Sequence, residues 1–64
     1  MEHHMIVLKN EVEGIPKGTK GTIVLEYPLV PSGNYYEVEF IIGGKSVVET
    51  VHENDFSLWN NIIF

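Results

Sequence analysis

The sequence predicts an all-β domain, and three observations carry that reading. Lys17-Gly18-Thr19-Lys20-Gly21 is a glycine-bearing turn that runs straight into Thr22-Ile23-Val24-Leu25-Glu26-Tyr27, an alternating segment. A second alternating segment follows at Tyr35-Tyr36-Glu37-Val38-Glu39-Phe40. Gly43-Gly44 then gives a two-residue hairpin signal, because both positions accept positive φ. No stretch carries the 3.6-residue period of an amphipathic helix of ordinary length.

Taken in order, Met5 to Leu8 is a short apolar run and a first strand. Glu11-Val12-Glu13-Gly14 opens a long loop from which Ile15 dips under the sheet. Pro16 presets a turn, and Gly18 supplies a permissive backbone position. In the next strand Ile23, Leu25 and Tyr27 share one face, which the alternation assigns to the core. Residues 28–34 form a loop with two prolines and a Ser-Gly-Asn turn. Tyr36, Val38 and Phe40 form the core face of the following strand, and Tyr35, Glu37 and Glu39 its solvent face.

Ser46 to Val51 returns from the hairpin with two competing inward sets, Val48 with Thr50 and Val47 with Val51. His52-Glu53-Asn54-Asp55-Phe56 suits one 3₁₀ turn that tucks Phe56 inward, with Asn54 or Asp55 as the capping residue. Ser57-Leu58-Trp59 is a last strand. Five strands, one long early loop, a hairpin and one 3₁₀ turn before the last strand describe a small SH3-like barrel. The expectation is a single domain over 1–64, with 1–4 as a leader or tag remnant and 60–64 as an apolar tail.

Sixty-four residues bury only about 60% of their unfolded surface, so the fold is marginal alone and association would help it. There is no cysteine, which removes disulfides and thiolate metal sites and fits a cytoplasmic setting. The hydrophobic share of 44% and the charged share of 20% are those of a globular domain. No apolar run reaches the 18 or so residues of a membrane span, so no membrane partner is expected. Nine acidic against four basic residues give a net charge of −5. Nucleic-acid binders draw most of their affinity from phosphate neutralisation, so this balance disfavours them. It favours a basic protein partner.

Gly18-x-x-Gly21-Thr22-Ile23-Val24, then Tyr36-Glu37-Val38-Glu39-Phe40, then Glu53-Asn54-Asp55-Phe56 resembles a family of short bacterial proteins of unknown function with an SH3-like barrel. The resemblance spans Ile6 to Trp59. Gly-Thr-Ile-Val is also similar to the ribosome-associated KOW motif. Asn54-Asp55-Phe56-Ser57-Leu58 is more weakly similar to the small SH3-like stromal subunit of photosystem I. The resemblance implies a fold and brings no catalytic or ligand residues. Small proteins of this type occur beside bacterial toxin genes, which implies immunity as a role.

No catalytic, cofactor or metal site is expected from the residues. His3 and His4 are adjacent and diverge in an extended chain. Glu37 and Glu39 lie roughly 7 Å apart along one strand face, which is the ordinary solvation pattern. His52-x-x-Asp55 reads as a capped turn. Leu29, Val30, Tyr35, Ile41 and the apolar residues of the tail exceed what so small a core can hide, and such residues mark an interface. The expected protein-binding set is therefore Glu26, Leu29, Val30, Tyr35, Glu37, Glu39 and Trp59, with Glu49 adding to the acidic side and Tyr35 as anchor. A homodimer would use the same surfaces. The alternatives are a nucleic-acid or ribosome-associated module using Lys17, Lys20 and Tyr35, and a structural subunit of a larger complex.

Overall fold

A computed structural model describes residues 4–27, 31 and 33–59. The expectations for His3, Leu29, Val30 and the 60–64 tail fall outside these residues. Among the described residues five antiparallel strands form one sheet: β1 (Met5–Leu8), β2 (Lys20–Glu26), β3 (Tyr35–Ile42), β4 (Lys45–His52) and β5 (Phe56–Leu58). A 3₁₀ turn, η1 (Glu53–Asp55), precedes β5. The order across the sheet is β4-β3-β2-β1-β5. Among the described residues no pairing joins β4 to β5.

Strand β2 is shared between two partners. Its first half pairs with β1, where Met5 opposes Thr22 and Val7 opposes Lys20. Its second half pairs with β3, where Ile23 opposes Val38 and Glu26 opposes Tyr36. The ladder begins one residue before β1, because the Ile23 N–H donates to the His4 carbonyl at 2.8 Å. His4 thus has a backbone role that the sequence reading did not give it.

The sheet bends. Tyr36 on β3 and Phe56 at the start of β5 meet edge to face, with ring centroids 5.4 Å apart. In a flat sheet the three strand spacings between β3 and β5 would separate them by about 14 Å. The bend gathers one core from all five strands and the first loop: Ile6, Leu8, Ile15, Ile23, Tyr36, Val38, Phe40, Val51 and Phe56. Each fully buried side chain of this kind contributes about 1.5–3 kcal/mol. Val12 and Val47 pack against the group.

Turn chemistry sets the registers. Gly43 and Gly44 have φ of 59° and 80°, as a type I′ hairpin turn requires. That turn places Val47 opposite Phe40 and Val51 opposite Tyr36, so the inward set of β4 is Val47 with Val51. Val48 is exposed on the other face. In the first loop, Val12 and Ile15 exchange backbone hydrogen bonds of 3.0 and 2.8 Å around Glu13-Gly14, which seats Ile15 in the core. The η1 cap is neither Asn54 nor Asp55. The His52 imidazole Nδ1 accepts from the Asn54 N–H at 3.0 Å. Asp55 instead faces the first loop and accepts from the Asn10 side chain at 3.0 Å.

Two sequence expectations for β2 are overturned. Leu25 and Tyr27 are exposed rather than in the core. The cause is a β-bulge: Ile23 opposes Val38, but Leu25 opposes Glu37, its neighbour in sequence. Val24 is the extra residue, and it moves everything after it to the opposite face. Gly21 is likewise not a turn residue. It lies within β2, where a Cβ would come 2.6 Å from Val38 Cγ1 and 2.7 Å from Phe40 Cε1. The core fills the space that a side chain would need. Gly21→Ala is therefore expected to destabilise the domain by about 1–3 kcal/mol through overpacking. Urea unfolding measures this as a lower midpoint at unchanged slope, and an unchanged midpoint contradicts the packing described.

Candidate functional site

The candidate site is the outer face of β2, β3 and β4, turned away from the core. Register places its residues in rows. Leu25, Glu37 and Thr50 lie side by side, as do Thr22, Glu39 and Val48. Tyr35 opposes His52, and the Tyr27 N–H donates to the Tyr35 carbonyl at 3.0 Å. The Tyr35 and His52 rings meet edge to face at 4.8 Å.

At the centre the Glu37 carboxylate is held from both sides. Oε2 accepts from the Thr50 hydroxyl at 2.9 Å and from the Tyr27 hydroxyl. Glu39 Oε2 accepts from the Ser46 hydroxyl. These donors are neutral, so they orient the two carboxylates without cancelling their charge. Leu25, Tyr27, Tyr35 and Val48 surround them as exposed apolar or aromatic surface. The Tyr27 phenol is pushed above its ordinary value of about 10. The largest cause is its hydrogen bond to Glu37, followed by desolvation and by the Glu37 charge.

Of the residues expected to bind protein, Tyr35, Glu37 and Glu39 come together on this face. Glu26 opposes Tyr36 and so belongs to the other side of the sheet. Glu49 does not join the acidic side. It opposes Val38, on the same face as Val47 and Val51, and is half-buried. Trp59 lies beyond β5, with its backbone N–H donating to the Met5 carbonyl at 2.9 Å. Lys20 reaches across β1 to place Nζ 3.8 Å from the Trp59 ring centre. That stack sits at the start of β2, whereas Tyr35 is paired beyond its end. About 20 Å of strand separates Lys20 from the Tyr35 end, so Lys17, Lys20 and Tyr35 form no common patch.

Tyr27, Thr50 and Ser46 were missed by sequence reasoning. The alternation put Tyr27 in the core, and the hydroxyl contacts depend on a register that composition does not reveal. Among the described residues no three or more His, Cys, Asp or Glu side chains gather as metal ligands. Nor is any helix among them long and apolar enough to cross a membrane. Comparison with protein-family models, curated proteins and solved structures finds no match to this chain.

Folding holds the Tyr27 proton more tightly than the unfolded chain does. The stabilisation this gives is complete below the unfolded value near 10 and is lost as pH rises through the higher folded value. Spectrophotometric titration of the phenols is expected to show one tyrosine ionising late, and Glu37→Gln to return it toward the ordinary range. A titration identical in the two proteins contradicts the Tyr27–Glu37 contact.

Proposed function

We propose that this protein is a non-enzymatic binding module with an SH3-like half-barrel fold, and that its outer sheet face covers a basic surface on a protein partner. The bend that brings Phe56 onto Tyr36 supports the half-barrel reading. The observation that carries the functional reading is the pair of carboxylates at Glu37 and Glu39. They are pre-oriented by hydroxyl groups, still charged, and flanked by Tyr35, Leu25 and Val48. Preorganised carboxylates suit arginine and lysine side chains, because little ordering remains to be done on binding. Tyr35 is held by His52 and presents a rigid aromatic anchor. A net charge of −5 adds electrostatic steering toward a basic partner.

The most concrete form of this reading is a small acidic inhibitor or immunity protein that occupies a basic site on a toxin or other enzyme. In the competing nucleic-acid reading Lys17 and Lys20 would lead. The stacking of Lys20 on Trp59 ties up one of these two cations within the fold.

The test is recovery of the partner from native lysate, followed by calorimetry with the purified pair. Glu37→Lys combined with Glu39→Lys is expected to weaken binding by at least tenfold, about 1.4 kcal/mol. Unchanged affinity overturns the acidic-face reading. Recovery of RNA, with binding that falls steeply with salt and is lost in Lys17→Ala with Lys20→Ala, replaces it with the nucleic-acid reading.

A further inference from the structure

The second feature with binding potential is the outer edge of β4, which no strand among the described residues pairs and which is distinct from the outer face. In the type I′ turn the Lys45 N–H bonds back to the Ile42 carbonyl, which makes Ile42 and Lys45 a hydrogen-bonded pair. Antiparallel pairs alternate from there. Lys45, Val47, Glu49 and Val51 direct their backbone groups to β3. Ser46, Val48 and Thr50 turn theirs toward the outer edge. The strand runs for eight residues without proline, and the pairing with β3 is in continuous register along its whole length. Such an edge is a template for another strand.

Glu49 is the informative residue. It is a charge on the core-side face of an edge strand, between Val47 and Val51, where it repels most incoming apolar strands. Lys45 lies on the same face, four residues away. We propose that two copies of this chain pair antiparallel along β4 about a twofold axis at Val47. Val47 then faces the partner's Val47, Lys45 faces the partner's Glu49, and Glu49 faces the partner's Lys45. The free backbone groups of Ser46 meet those of the partner's Val48, as the ladder requires.

Charge complementarity selects this register. Centring on Glu49 sets two carboxylates opposite each other, and centring on Lys45 sets two ammonium groups opposite each other. Centring on Val48 leaves both charges facing valine, and centring on Ser46 sets Lys45 against the partner's Val47 and Glu49 against the partner's Gly43. Of these registers, only the axis at Val47 brings opposite charges together twice. A twofold interface must be self-complementary, and this strand is so in one register. Pairing also extends the hydrogen-bonded sheet of a domain too small to bury much surface alone.

Sedimentation equilibrium of the full chain at about 0.1 mM is the test, since dimer population follows protomer concentration. The wild type is expected to be dimeric. Val48→Pro removes an edge donor without touching the β3 ladder, and is expected to give a folded monomer by circular dichroism. Glu49→Lys and Lys45→Glu are each expected to raise the dimer dissociation constant at least about tenfold, and the double exchange to restore it. Glu37→Lys with Glu39→Lys leaves the dimer intact, which separates this result from that of the partner-binding test. A wild-type monomer at this concentration overturns the proposal. So does a dimer that survives Val48→Pro, or single exchanges that weaken pairing with no recovery in the double. Protection of the Ser46, Val48 and Thr50 amides only when a different protein is added assigns the edge to that protein instead.

Discussion

The extra residue at Val24 is the constraint on which the outer face depends. Before it, β2 sends Ile23 into the core against Val38. After it, the same strand sends Leu25 and Tyr27 outward beside Glu37. Without the bulge, the alternation would carry Leu25 and Tyr27 inward, and Glu37 would lose one of its two hydroxyl donors. A bulge also sharpens the local twist, and this one lies in the strand that joins the β1 and β3 sides of the bent sheet. Core bend and surface chemistry thus share one local irregularity.

Much of the fold is legible in the residues. Tyr36, Val38 and Phe40 alternate with charged or polar neighbours, so only one face is apolar and the core side follows. Gly43-Gly44 defines the hairpin because two successive positive φ values suit few other pairs. Ile15 and Phe56 are apolar residues set in polar loops, and both are buried. Where both faces of a strand are apolar or β-branched, as in Val47-Val48, parity alone decides nothing. The turn length settles it. The bulge leaves no mark at all, because Ile23-Val24-Leu25-Glu26-Tyr27 alternates as well with it as without it.

The candidate site was legible in part for the same reason. That Tyr35, Glu37 and Glu39 share one face is readable in the sequence because their strand is regular. Glu49 was misplaced because its side depends on the register of β4, and Tyr27 because of the bulge. Ser46 and Thr50 have no role until that register sets them beside Glu39 and Glu37. The result is a division of acidic residues by face. Two are held outward among aromatic groups, and one is held on the core side of β4, the edge strand of the sheet among the described residues. In the proposed function the first arrangement meets a basic protein surface, and the second restricts which strands can add to the sheet.

The most direct measurement of this account is a nuclear Overhauser spectrum of the isolated protein, read at the Tyr27 ring. The bulge places that ring on the outer face, sharing the Glu37 carboxylate with Thr50. Contacts from the Tyr27 ring to the Thr50 methyl and the Glu37 methylenes are the predicted result. Contacts from the same ring to Val38 and Phe56 would return Tyr27 to the core. They would remove both the bulge and the face built on it.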